Sequence, residues 1–160
     1  MTASLHRPED SPGAAFLLTA VGALAAERFT ERIAALDLTP PQTGLLRVIA
    51  ATPGQSQQAV AQLLRTPPSR LVGLVDSLSD RGLVERRPNP DDRRLHALHV
   101  TAAGQEMLQR IAEVGRSHDD ALLSSLDAGE RTQLRALLAR IADDHGLTPG
   151  VHPGYRHLRP

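Results

Sequence analysis

The sequence predicts a mostly α-helical, α+β fold: a winged helix-turn-helix with a two-stranded β-wing. Three observations support this fold class. Apolar residues recur at helical spacing through most of the chain. Residues 83–101 form two short β-like runs around the turn signal Pro88-Asn89-Pro90. Between residues 39 and 100 the predicted order is helix, helix, helix, strand, arginine-rich loop, strand.

The composition limits the class of protein. The 160 residues fit one domain with a real core, and the formal net charge is zero. The absence of Cys excludes disulfides, thiolate redox switches and Cys-based zinc sites. No apolar run is long enough to span a membrane, and residues 1–12 lack the apolar region of a signal peptide. We therefore expect a cytoplasmic protein without membrane attachment.

The first half of the chain predicts three helices. Residues 1–12 are expected to be disordered, and a helix is expected over residues 14–36. Its apolar residues are read as one stripe, formed by Phe16, Leu17, Val21, Leu24, Ile33 and Leu36. Thr39 and Gln42 form a capping box for a helix that ends before Pro53, and Ser56 caps a short helix over residues 57–64. In that short helix we expect Val60, Leu63 and Leu64 to point inward.

The second half predicts three more helices around the hairpin. Pro67 lies outside the next helix and Pro68 is its first residue, because a residue before proline avoids the α region. This helix reaches about Arg81, and Gly82 ends it in the left-handed conformation. Helices follow over residues 102–123, capped by Thr101, and 128–144, opened by the capping box Asp127–Glu130. Residues 146–160 are expected to be a flexible tail.

The helices over 57–64 and 68–81 have the spacing of a helix-turn-helix, and the hairpin after them has the position of a wing. The second of these helices has small or polar residues at the start of its outer face. Ser69 can bond a phosphate or a base, and Arg70 can fork onto guanine. Gly73 has no side chain to hold the helix away from DNA. The alternative, an ordinary surface helix, is disfavoured by the wing that follows.

Six segments between Leu38 and Gly104 match, in order, the sequence motifs of one protein family. They are Leu38–Gln42, Gln57–Leu64, Pro68–Leu78, Gly82–Arg87, Asp92–Arg94 and Val100–Gly104. An Asp-x-Arg wing followed by (Leu/Val)-Thr-x-x-Gly is specific in combination, and here Val100 replaces the usual Leu. The chain resembles the MarR family of winged-helix transcription regulators.

The resemblance implies an organisation and a function. It implies one domain over residues 13–145, with the winged core at 38–101 and dimerisation helices at 14–36, 102–123 and 128–144. The expected protein is a homodimer that binds double-stranded DNA sequence-specifically at an inverted repeat, as a ligand-responsive repressor. A winged-helix module that serves only protein–protein contact remains the alternative.

The resemblance also assigns residues to the DNA surface. We expect DNA contacts from Ser56, Gln57, Pro68, Ser69, Arg70, Gly73, Ser77, Arg87, Arg93 and Arg94. Arg94 at the wing tip would enter a narrow minor groove, and Asp92 would brace it by an ion pair. The alternative for Asp92 and Arg94 is a plain surface ion pair of little energetic value.

For regulation, the resemblance implies a small phenolic or carboxylic effector between the dimerisation helices and the helix-turn-helix. Arg28, Arg47 and His118 are the polar groups there that can meet an anion, although a solvated or structural role is the more ordinary interpretation of each. His118 is in register with Ile111 and Val114, so it is expected to face the interior.

No enzyme, cofactor or metal site is expected. The chain has no Gly-x-Ser-x-Gly, no phosphate-binding loop and no His-Glu-x-x-His. The spacing of the histidines does not suit a metal site. Two Phe and one Tyr leave few aromatic rings for base stacking, which disfavours binding to single-stranded DNA or to RNA.

Overall fold

The structure of the protein, a computed structural model, describes residues 12–89 and 96–147. Within these residues it contains six helices and one antiparallel pair of strands, which confirms the predicted fold class. The elements are α1 (Ala14–Ala34), α2 (Pro40–Ala51), α3 (Gln57–Leu64), α4 (Pro68–Asp80), β1 (Val84–Pro88), β2 (His96–Val100), α5 (Ala102–Leu122) and α6 (Ala128–Asp144).

Some of the expectations fall outside the described residues. These are the disorder of residues 1–12, apart from residue 12 itself, and the flexibility of the tail beyond residue 147. The same is true of the wing tip, which carries Asp92, Arg93 and Arg94.

The predicted caps determine where four helices begin. The Thr39 hydroxyl accepts a hydrogen bond from the Gln42 N–H, and the Gln42 side chain accepts one from the Thr39 N–H at 2.8 Å. Ser56, Thr101 and Asp127 accept from the N–H three residues further on, at 3.2, 3.0 and 2.9 Å respectively. Each cap satisfies an N–H group that the first turn of a helix leaves unpaired.

The link between α3 and α4 is built as the sequence predicts. Pro67 is the N-cap of α4 and Pro68 its first residue. At the other end, Gly82 has φ +66°, the left-handed conformation that ends the helix. The C-cap of α3 is also left-handed, but there the residue is Arg65, with φ 50° and ψ 42°.

The wing base is fixed to the helix-turn-helix on both sides. β1 and β2 pair antiparallel, from Val84 opposite Val100 to Pro88 opposite His96. The other edge of β2 contacts the segment that leads into α3. There the Gly54 N–H donates to the Leu98 carbonyl at 3.0 Å, and the Leu98 N–H donates to the Gln55 carbonyl at 2.9 Å.

The start of α5 packs directly on the turn between α4 and β1. The Thr101 N–H donates to the Leu83 carbonyl at 3.1 Å, and the Thr101 hydroxyl donates to the Gly82 carbonyl at 2.5 Å. A Cβ at Gly104 would collide with the Leu83 carbonyl oxygen and with the Val100 side chain. The Thr-x-x-Gly motif is therefore a packing motif, in which Thr caps the helix and Gly allows close approach.

The hydrophobic core lies inside the winged helix-turn-helix. Its fully buried side chains are Ile33, Leu45, Leu46, Ile49, Val60, Leu64, Leu71, Val75, Leu78, Leu98 and Ile111. They come from the end of α1, from α2, α3, α4, β2 and from α5. In contrast, α6 has no buried residue.

The expectation that Leu63 points inward is wrong. Leu63 is 40% exposed, because Ala61 completes the buried face of α3 with Val60 and Leu64, and Leu63 lies to one side of it.

The single apolar stripe expected in α1 is in fact two stripes. Ile33 and Leu36 are buried in the core with Phe29 beside them. Leu17, Val21 and Leu24 are 40–49% exposed. At 3.6 residues per turn these three line up with Arg28 rather than with Ile33, so the apolar face changes sides along the helix.

Candidate nucleic-acid interface

The outer face of α4 carries two of the predicted DNA contacts. Ser69 and Gly73 are exposed on the side of the helix opposite Leu71, Val75 and Leu78. Nothing lies within 4 Å of a Cβ built on Gly73, so this part of the surface is open. Small residues here let a flat partner approach the helix backbone closely.

The N-terminus of α4 is open as well. Pro68 and Ser69 are exposed, and Pro67 provides no side-chain cap. The first turn of a helix attracts anions through its free N–H groups and its dipole. Pro67 and Pro68 have no N–H, and the Arg70 and Leu71 N–H groups donate to the Pro67 carbonyl. The Ser69 N–H and the helix dipole are therefore what this end of α4 offers to an anion.

Two predicted contact residues lie on a flank of α4 rather than on its outer face. Arg70 is half-buried. Ser77, two turns further on, accepts a hydrogen bond from Gln42 Nε2 at 2.6 Å, which joins α4 to α2. The structure thus gives Ser77 a packing role, and its contact with DNA stays a prediction.

Two polar side chains at the start of α3 form hydrogen bonds within the protein. Ser56 is half-buried and its hydroxyl caps α3. The Gln57 Oε1 accepts a hydrogen bond from Arg86 Nε at 2.7 Å. Both residues were expected to contact DNA. The bonds in the structure use the acceptor oxygens of the two side chains, and the DNA contacts by their donor groups stay a prediction.

Arg86 is a residue that the sequence reasoning missed. Its Nη2 lies 2.5 Å from Asp76 Oδ1, so one guanidinium joins β1, α3 and α4. The signal in the sequence was the alternation of side chains along a strand, which places Arg86 and Arg87 on opposite faces of β1. Arg87 bonds Glu85 along the same strand, and its side chain is 58% exposed.

Arg81 is likewise structural. It donates to the backbone carbonyls of Asp37 and Leu36 at 2.5 and 3.1 Å, which ties the end of α4 to the turn before α2. Arg81 and Arg86 thus bond groups of other elements, while Arg87 bonds Glu85 within its own strand. The Arg65 side chain is exposed.

The residues expected around an effector are partly brought together. His118 is 9% exposed, as its register predicted, and its ring packs edge-on against Phe29 with centroids 5.7 Å apart. Its Nδ1 is buried and has no hydrogen-bond partner in the described part of the chain. Arg47 is exposed, and its Nη2 lies 4.0 Å from a Cβ built on Gly115, one turn before His118.

Arg28 is exposed and shows no polar contact with the described residues. The arginine of α1 that reaches α5 is Arg32, whose Nη1 donates to the Ser117 hydroxyl at 3.1 Å. The sequence analysis did not predict this contact.

Comparison with known proteins identifies the family. A sequence profile of the MarR family matches residues 36–95. A Thauera aromatica protein, named as a transcriptional regulatory protein for the hcr operon, is 37% identical over 112 residues, 70% of this chain and 68% of that protein. The chain belongs to the MarR family. The regulator HosA of Escherichia coli O111:H- is 34% identical over 65% of this chain and 76% of its own length.

Solved MarR-family structures share the fold over nearly their whole length. The repressor CouR, solved on a 23-mer DNA duplex, superposes with a TM-score of 0.72 at 32% identity, covering 88% of this chain and 99% of CouR. Rv2887 of Mycobacterium tuberculosis, solved with DNA, superposes with a TM-score of 0.72 at 25% identity, covering 82% and 98% respectively.

The protein is therefore a DNA-binding transcription regulator of the MarR family and not an enzyme, as the sequence predicted. A module used only for protein–protein contact is not favoured. None of the described helices is long and apolar enough to cross a membrane.

Proposed function

We propose that this MarR-family protein is a cytoplasmic, homodimeric repressor of an inverted-repeat operator. The observation that carries the proposal is the outer face of α4, where exposed Ser69 and Gly73 follow an uncapped helix N-terminus. Two such faces, related by the twofold axis of a dimer, would enter successive major grooves. The half-site centres would then lie about one helical turn apart, ~10 bp.

In this complex the predicted contacts of α4 and of the wing have different roles. Pro68 and Ser69 approach the backbone phosphate at the start of α4, and Ser69 also reaches a base edge. Arg70 forks onto guanine from the flank of the helix. Arg87 and Arg93 contact phosphates beside the wing. Arg94 enters the minor groove with Asp92 as its brace.

The homodimer is supported by the apolar surface that is exposed to solvent in a single copy of the chain. In α1, Phe16, Leu17, Leu18, Val21 and Leu24 are 40–66% exposed, and in α6 Leu137, Leu138 and Ile141 are 38–47% exposed. Exposed apolar groups of this number mark an interface. Since MarR-family regulators are typically dimers, a second copy of the chain is the partner that best explains them.

DNA footprinting on the region upstream of the protein's own coding sequence tests the proposal. We expect protection of two symmetric half-sites, and an affinity that falls steeply as salt rises. Arg70→Ala should lose discrimination at one base pair per half-site, by roughly 1–3 kcal/mol. Absence of protection at low salt, there and on duplexes selected from random DNA, would contradict the proposal.

We further propose that a small phenolic or carboxylic effector controls DNA binding. The specific support is His118, whose buried Nδ1 has no partner within the described residues. A buried polar atom without a partner is unfavourable, and a ligand hydroxyl or carboxylate would supply the missing bond. Phe29 offers a ring face or edge for an aromatic ligand, and Arg47 a cation for a carboxylate.

Thermal unfolding with a series of aromatic acids tests this second proposal. One member is p-aminosalicylic acid, which the related protein Rv2887 carries in a solved structure. A ligand at one hundred times its Kd would stabilise the protein by about 2.7 kcal/mol, a shift of several degrees. The shift should be smaller in His118→Leu and in Arg47→Ala than in Arg28→Ala. No shift with any acid would contradict the effector and leave the DNA-binding proposal standing.

A further inference from the structure

The turn between α3 and α4 holds an arginine where the backbone favours glycine. Arg65 has φ 50° and ψ 42°, in the left-handed region. Asp37 is the other non-glycine residue with positive φ in the described part of the chain. A side chain in this conformation crowds its own backbone, and helices commonly place glycine there. An arginine at this position therefore makes the folded protein less stable than a glycine would.

No side-chain contact with the described residues explains the choice of arginine. The Arg65 side chain is exposed, and it forms no hydrogen bond or ion pair with residues 12–89 or 96–147. Arg81, Arg86 and Arg87, in contrast, each bind a carbonyl or a carboxylate. A strained residue that the fold does not require points to a role outside the fold.

The backbone around Arg65 is held firmly. The Arg65 N–H donates to the Gln62 carbonyl at 3.1 Å, and the Thr66 N–H donates to the Ala61 carbonyl at 3.0 Å. Thr66 is 6% exposed and anchors the link in the core. Pro67 and Pro68 have fixed φ angles, and each restricts the residue before it. The Arg65 side chain thus starts from a fixed point four residues before Ser69, beside the open N-terminus of α4.

We propose that Arg65 is a further DNA contact, which binds a backbone phosphate at the edge of the groove that α4 enters. The proposal rests on the proposed operator complex and adds a residue to it. A long cation at a fixed point beside an inserted helix meets the phosphates that flank the groove, and such contacts position the protein without reading sequence.

The variant Arg65→Gly separates this role from a structural one. Because glycine suits the left-handed backbone, we expect the Tm to stay the same or to rise. DNA affinity should nevertheless fall by roughly tenfold, equally for a duplex selected from random DNA by the wild type and for an unselected duplex. The slope of log affinity against log salt should become shallower by about 0.9 per protomer, or about two for the dimer. Arg65→Lys should keep most of the slope.

Two matched variants complete the experiment. Asp37→Gly makes the same backbone change at the turn before α2, so its Tm should respond in the same direction without loss of DNA affinity. Ser69→Ala should weaken binding to the selected duplex more than to the unselected one. Wild-type affinity and salt slope in Arg65→Gly would overturn the inference, as would a lowered Tm with no rescue of binding by lysine. Failure of the wild type to prefer any duplex would instead contradict the proposed function.

Discussion

The carboxylate of Asp76, on the recognition helix α4, lies 2.5 Å from the guanidinium of Arg86, on the first strand of the wing. The same guanidinium bonds Gln57 at the start of α3 at 2.7 Å. The two halves of the proposed DNA surface, helix and wing, are thus joined through one side chain. In the proposed complex the contact also neutralises an acid that would otherwise face the phosphates.

Arg86→Ala should therefore destabilise the protein by about 1–2 kcal/mol, since it removes two bonds to charged or polar groups between three elements. Arg87→Ala is the matched control. Its ion pair with Glu85 lies within one strand and is exposed, so the expected change is under about 0.5 kcal/mol. Urea unfolding at a fixed protein concentration measures both. Equal losses of unfolding free energy in the two variants would show that the contacts of Arg86 between elements stabilise the protein no more than an ion pair within one strand.

DNA affinity should also fall in Arg86→Ala, because Asp76 is left with an unpaired negative charge near the phosphates. Adding Asp76→Asn should recover part of that loss. The two substitutions should be non-additive in binding by at least about 0.5 kcal/mol, as contacting residues usually are. Additive effects in a double-mutant cycle would indicate that helix and wing act independently.

Gly104→Ala should destabilise the domain by about 1–3 kcal/mol or more, because the added methyl group must displace the Leu83 backbone or the Val100 side chain. Gly115→Ala, on the same helix, is the control. There the nearest atom is Arg47 Nη2 at 4.0 Å, so alanine should stabilise the helix by about 0.5–1 kcal/mol. Thermal and urea unfolding should show opposite signs, and matching signs would contradict the packing argument.

Gly73→Ala should raise stability and lower operator affinity. Glycine inside a helix is about 0.5–1 kcal/mol less stable than alanine, and a Cβ at Gly73 meets nothing within 4 Å in the free protein. In the complex the same methyl group would separate α4 from the groove. Unfolding and DNA titration on one preparation test the two effects, and an unchanged operator affinity would show that α4 does not approach DNA so closely at Gly73.

Val21→Glu should weaken the dimer, since it places a charge among the exposed apolar residues of α1. Thr19→Glu introduces the same charge on the opposite, exposed side of the helix and should leave the dimer intact. Sedimentation over a range of concentrations measures dissociation. Operator binding should become more dependent on protein concentration in Val21→Glu only. A dimer that survives Val21→Glu would place the interface elsewhere.

The starts of the helices could be predicted because caps are local. Thr39, Ser56, Thr101 and Asp127 each bond an N–H group three residues away, so the sequence alone contains the signal. Burial was harder to predict, because it depends on which elements pack together. Leu63 and the two faces of α1 show that apolar spacing identifies a helix more reliably than it identifies the side that is covered.

The outward residues of α4 also followed from helical periodicity, as Ser69 and Gly73 show. The polar partners did not. Gln42 bonds Ser77 across 35 residues, and Gln57 bonds Arg86 across 29 residues. These intramolecular partners of residues near the predicted DNA surface could not be predicted, because partners so distant in sequence cannot be recognised before the chain is folded.

The pairing of β2 on both edges has a consequence for solubility. The segment before α3 occupies one edge and β1 the other, so within the described residues the open edge of the sheet belongs to β1. That edge carries Glu85, Arg86 and Arg87 and ends at Pro88, which has no N–H to donate. Charge and proline discourage the addition of a further strand. The wing can therefore project from the protein without recruiting other chains into aggregates.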